Sequence, residues 1–158
     1  MRFFDISLES GRQRVVALDL NHSLGAAVLS RDERWVAIHY EITENIRPIY
    51  IAPARDGIAA PREQWIALMN RPGVHVRPWW SPNGEILHFI SDAGGKSMLW
   101  AQRPTPADKK PVGEPFIIYA PPEERFTLSA STAFGPAVGP ASIIFQMIET
   151  NTNIWLGE

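Results

Sequence analysis

Ser81-Pro82-Asn83-Gly84-Glu85-Ile86-Leu87-His88-Phe89-Ile90-Ser91 carries the clearest structural signal in the chain. It opens with strong turn chemistry. Proline presets φ, asparagine can bond to its own turn backbone, and glycine tolerates positive φ. The apolar run after the turn is short and reads as a strand, with Leu87 and Phe89 on one face and His88 on the other. A second turn, Asp92-Ala93-Gly94-Gly95, leads to another strand at Met98-Leu99-Trp100-Ala101. Beyond a proline-rich loop comes a further strand, Pro115-Phe116-Ile117-Ile118-Tyr119-Ala120.

The same plan recurs about fifty residues earlier, a spacing that marks internal repeats. Ser30-Arg31-Asp32-Glu33 precedes Trp35-Val36-Ala37-Ile38-His39-Tyr40, where Val36 and Ile38 stand in the places of Leu87 and Phe89. Ile49–Ala52 matches the Trp100 strand, and Gln64–Met69 matches the strand that ends at Ala120. The first turn lacks both the proline and the glycine of Ser81–Gly84. Further along, Ser142–Met147 and Asn153–Leu156 repeat the Leu87 and Trp100 strands behind a degenerate turn, Gly135–Pro140. At the N-terminus, Phe3–Ser7 and Arg14–Asp19 read as a strand pair around Glu9-Ser10-Gly11.

Four short strands per repeat of forty to fifty residues are the mark of a β-propeller blade. The expected fold is all-β, with blades of four antiparallel strands. The innermost strands are expected at Ala26–Leu29, Val76–Trp80 and Phe126–Ala130. The blades divide the chain at 1–20, 21–70, 71–120 and 121–158. About three blades are present, which is too few to close a ring. The expectation is a partial propeller: the remainder of a longer one, or half of a six-bladed ring completed by a homodimer.

The Ser81–Ser91 segment followed by Leu99-Trp100 resembles the blade signature of TolB-like, WD-repeat-like bacterial β-propellers. That signature runs Ser-Pro-Asp-Gly, a strand ending Phe-x-Ser, a turn, then Ile-Trp. Asn83 stands here for the aspartate and Leu99 for the isoleucine. Asn153-Ile154-Trp155 and the insert from Ala101 to Phe116 resemble the C-terminal blades of large multidomain bacterial members. The resemblance implies a rigid ring with loops on two faces that holds a protein or peptide. It also leaves room for an accessory propeller domain of a larger peptidase or kinase.

Composition narrows the chemistry. The 158 residues include 15 basic and 17 acidic side chains, a net charge of −2, so no nucleic-acid partner is expected. Cysteine is absent, which excludes disulfides, thiolate nucleophiles and cysteine zinc sites. No apolar run suggests membrane insertion, and Met1–Asp5 has no signal-peptide pattern. Fourteen prolines and eleven glycines punctuate the chain too often for ordinary helices. No nucleophile elbow, phosphate loop or dinucleotide glycine pattern occurs. His22, His39, His75 and His88 have no metal-ligand spacing. No enzyme activity and no cofactor are therefore expected.

Trp35, Trp65, Trp100 and Trp155 recur at equivalent or near-equivalent places and read as core between blades. Trp79 and Trp80 differ, since adjacent residues on an innermost strand point opposite ways. One of the two indoles is a candidate for an exposed aromatic on a binding face, with Arg77 and Arg103 nearby in sequence; aromatics and arginine anchor interfaces. Lys109-Lys110 reads as ordinary solvated surface.

Overall fold

A computed structural model describes residues 2–6, 10–11, 13–18, 23–69, 71–129, 136–139 and 141–150. Among these residues the regular elements are strands, apart from one 3₁₀ turn at Arg62–Gln64. The chain is all-β. β1 (Arg2–Ile6) and β2 (Gln13–Leu18) form an antiparallel pair, and Gly11 takes φ +67° in the connection. The strand expected at Asn153–Leu156, with Trp155, lies outside the described residues, as does His22.

Two four-stranded antiparallel meanders form the centre. The first contains β3 (Ser23–Leu29), β4 (Trp35–Glu41), β6 (Ile49–Arg55) and β8 (Ile66–Met69), paired in that order. A short strand, β7 (Ile58–Ala59), pairs with β6, and another, β5 (Ile46–Arg47), lies in the connection from β4 to β6. The second contains β9 (Gly73–Trp80), β10 (Leu87–Ser91), β11 (Met98–Pro104) and β12 (Pro111–Tyr119). β5 leaves the first meander and pairs in parallel with the start of β9, Ile46 opposite Gly73 and Arg47 opposite Val74. It straps the two sheets together through their backbones.

Both central sheets are covered on two faces. Val36, Ile38, Tyr40, Tyr50 and Ala52 pack towards β1–β2, whose Val16 joins the same cluster. On the other face, Trp35, Ala37, Ile49 and Ile51 meet Trp80, Leu87, Phe89 and Trp100 of the second sheet. The far face of that sheet packs Val76, Trp79, Ile90 and Leu99 against Leu128. Two-sided burial explains why β4 and β10 read as nearly unbroken apolar runs. His88 lies opposite Leu87 and Phe89, as alternation requires, and stacks on Trp79 at 5.5 Å and 17°.

The last unit departs from the expected plan. β13 (Phe126–Leu128) pairs with β16 (Met147–Glu149), while β14 (Ala137–Val138) pairs with β15 (Ile143–Ile144). The strand expected at Ser142–Met147 is thus split into two pieces with different partners. Pro136 explains the end of the first piece: it would face Phe145 next along the β14–β15 register and has no amide donor to continue the ladder. The segment expected to begin its fourth strand at Gln64 instead forms the 3₁₀ turn, and β8 starts at Ile66.

Candidate functional site

The turns between the first and second strands of each central sheet share one hydrogen-bond pattern. Ser30 N–H donates to the Trp35 carbonyl and Ser81 N–H to the Ile86 carbonyl, each at 2.8 Å. The serine hydroxyl donates to the Asp32 or Asn83 side-chain oxygen, each at 2.6 Å. That same hydroxyl accepts the Trp35 amide at 3.1 Å, or the Ile86 amide at 3.0 Å. Glu33 takes φ +55° where Gly84 takes +71°. Ser30–Arg34 therefore folds as Ser81–Glu85 does, without the proline or the glycine. The Ser30 bond, outweighing desolvation, holds the Asp32 carboxyl below its ordinary pKa.

A wider version of this turn occurs at Thr105–Lys110, between β11 and β12. Thr105 N–H donates to the Lys110 carbonyl at 2.8 Å, and the Thr105 hydroxyl donates to Asp108. Hydrogen bonds from Thr105 and Lys110 draw the exposed Asp108 carboxyl down to about 2. Lys109 takes φ +55° and is only 9% exposed. Its ammonium donates to the Gly84 carbonyl at 3.3 Å and lies 5.5 Å from the centre of the Trp80 ring. The structure corrects the expectation of solvated surface for this residue. Thr105-x-x-Asp108, an echo of Ser81-x-Asn83, was the signal in the sequence.

These turns gather on one face, and three cavities meet at Ser81-Pro82-Asn83. The first, about 400 Å³, runs between the two matching turns and includes Asp32, Asn83, Gly84 and Lys109. The second, about 390 Å³, lies along Val28, Leu29, Trp79, Trp80 and Pro136. The third, about 770 Å³, has apolar walls at Leu99, Ile118, Ile143 and Phe145, with His88 among them. Pro82 borders all three. The face thus offers carboxylate, amide and ammonium groups beside apolar slots.

The candidate residues from the sequence are only partly brought together. Trp79 and Trp80 are 7% and 8% exposed and belong to opposite clusters. The exposed indole expected of a binding face is not observed, because the innermost strand is covered on both sides. Both tryptophans nevertheless border the second cavity. Trp80 also donates its indole N–H to the Val28 carbonyl at 3.3 Å, tying β9 to β3. Arg77 is half-buried in the middle of β9 with φ +57°, and Arg103 is exposed on β11 with its guanidinium 4.7 Å from the Phe116 ring centre. Neither borders the three cavities. Arg31, which borders two of them, gave no signal in the sequence.

One buried arrangement resembles a nucleophile beside its base. His75 Nδ1 lies 2.7 Å from Ser91 Oγ, and both residues are fully buried. The partners fix every proton. Nε2 faces the Arg71 carbonyl at 2.8 Å, so it must donate; Nδ1 then accepts from the Ser91 hydroxyl, which itself accepts the Ala93 amide at 3.1 Å. Asp92 accepts the Val74 amide at 2.7 Å. Every group is committed to pinning the entry of β9 to the turn after β10. The cluster offers no open position for a substrate. Among the described residues no group of three or more His, Asp or Glu could hold a metal ion. No protein-family model matches the chain, and neither a curated protein nor a solved structure does.

Proposed function

We propose that this chain forms part of a TolB-like β-propeller and acts as a non-catalytic interaction module. A protein or peptide binds across the face made by Ser30–Arg34, Ser81–Ile86 and Thr105–Lys110. The observation that carries this reading is the meeting of three cavities at Ser81-Pro82-Asn83. The blade reading is supported by two meanders with matching first turns, packed face to face and each covered on both sides. About three blades leave a ring open, and a homodimer closes it with the two-fold symmetry that soluble oligomers favour. Ile144, Met147 and Ile148, exposed on the last unit, supply apolar surface for that junction.

A photo-cross-linking residue placed at Arg31 tests the face, with Glu44 as a control on another exposed turn, outside any proposed site. Discrete adducts from position 31 and none from position 44 are expected in cells producing the chain. Equal labelling at both positions, or none at either, overturns the assignment. Light scattering on the purified chain tests the ring: a mass near twice 17.7 kDa is expected, and a monomer rules out closure by two copies.

A further inference from the structure

A second recognition feature lies away from the turn face. Tyr40 on β4, Tyr50 on β6 and Trp65 just before β8 stand on neighbouring strands of the first sheet and on one face of it. Their ring centres are 5.7 Å apart for the tyrosine pair, 5.8 Å for Tyr40 and Trp65, and 6.0 Å for Tyr50 and Trp65. Tyr40 meets both other rings edge to face, so the three form a box rather than a stack. The Trp65 indole N–H donates to the Ala60 carbonyl at 2.7 Å, which fixes the ring's orientation.

The box is already occupied. The Arg62 guanidinium carbon lies 4.2 Å from the Tyr50 centre, 4.8 Å from Tyr40 and 5.1 Å from Trp65. All three distances fall within the range where a ring quadrupole attracts a cation. Burial opposes the arginine's charge, but hydrogen bonds to the Tyr40 and Tyr50 hydroxyls prevail and raise its pKa. The walls and the occupant differ in how they are held. The walls belong to a paired sheet, with Tyr40 and Tyr50 buried. Arg62 rides on a three-residue 3₁₀ turn with no side-chain cap and no buried residue, flanked by exposed Pro61 and Glu63.

We infer that Tyr40, Tyr50 and Trp65 form a binding site for an organic cation of guanidinium or quaternary-ammonium type, and that Arg62 is its built-in occupant. A ligand enters by displacing Arg62 as the short turn swings away. The site is independent of the proposed turn face, so either can fail alone. Weakly hydrated cations suit it because they lose little hydration on entering an aromatic box. A carboxylate or phosphate is repelled by the same ring faces.

Arg62→Ala empties the box, and the probe is tetramethylammonium chloride with equal sodium chloride as control. The melting temperature and the intrinsic tryptophan fluorescence of the variant should respond saturably to the probe, with affinity at least tenfold above that of the unsubstituted chain. Adding Tyr50→Leu to Arg62→Ala should abolish the response. A folded Arg62→Ala variant that responds equally to both salts overturns the inference. Arg62→Met keeps the aliphatic stem and guards against a packing defect. Failure of both variants to fold also overturns it, since Arg62 would then be a structural pin and not a displaceable occupant.

Discussion

The two central sheets have the same strand order and the same first turn, yet each fixes its second connection differently. The second sheet uses a tight turn at Asp92–Gly95, held by the His75–Ser91 pair and by Asp92. The first sheet has Tyr40 and Glu41 at the corresponding places and makes a longer excursion, which ends as β5 on the neighbouring sheet. His39, where the second sheet carries Ile90, lies over the bare Cα of Gly25. A Cβ at Gly25 would come within 2.1 Å of the imidazole. What this teaches is that the repeat specifies a hydrogen-bonded frame rather than particular residues. The second sheet satisfies the frame internally, and the first borrows from its neighbour.

The sharpest way to break the pair is through the cluster they share. Phe89 is fully buried there beside Trp35 and Ile51 of the first sheet. Phe89→Ala should cost about 3–5 kcal/mol. Both sheets should still unfold in one transition, seen by coincident far-ultraviolet dichroism and tryptophan fluorescence on denaturant titration. Separate transitions would show that the strap and the shared core do not couple them.

A smaller effect separates the sheets by pH. Burial, with Arg47 and Arg77 nearby and only Glu41 opposing, pushes His39 from the ordinary 6.5 down to about 4. The folded state therefore disfavours protonation. Stability is fully present above pH 6.5 and is lost as pH falls through 4, by roughly 3 kcal/mol in total. His75 and His88 are also lowered by burial and act in the same direction. His39→Leu should flatten the decline of melting temperature between pH 6.5 and 4 without abolishing it. An unchanged profile would mean that His39 is protonated in the folded chain.

The smallest effect compares the turns. Glu33 holds a positive φ that its counterpart Gly84 adopts without strain. Glu33→Gly should change stability by less than about 1 kcal/mol, in the stabilising direction, because relief of the left-handed strain outweighs the added chain entropy. Gly84→Glu should destabilise by a comparable amount. Thermal melts of the two variants side by side check both signs, and equal signs would mean that the turns are not equivalent.

Much of the frame was legible. Ser81–Ser91 announces its turn and strand, and the matching spacing located the strands of both central sheets to within a few residues. Ser30–Glu33 carries a weaker signal, because it lacks the proline and glycine that mark Ser81–Gly84. The bonds are made by the serine hydroxyl and the acid or amide two residues on, both of which it keeps. The last unit departs from the expected strand at Ser142–Met147, where the apolar run outlasts the ladder. Burial was the weakest inference. Adjacent tryptophans suggested one exposed indole, and adjacent lysines suggested solvated surface, yet Trp79, Trp80 and Lys109 are all buried.

The strands, their turns and the apolar runs of β4 and β10 follow from patterns local to each segment. Those features depend on hydrogen bonds and side-chain alternation within a few residues. Which groups share a site is set by how the sheets pack. The joining of three cavities at Ser81-Pro82-Asn83, the seat of Lys109 on Trp80, and the box of Tyr40, Tyr50 and Trp65 around Arg62 depend on register between strands and on the packing of sheets. That information lies in pairings between distant segments, and no local pattern carries it.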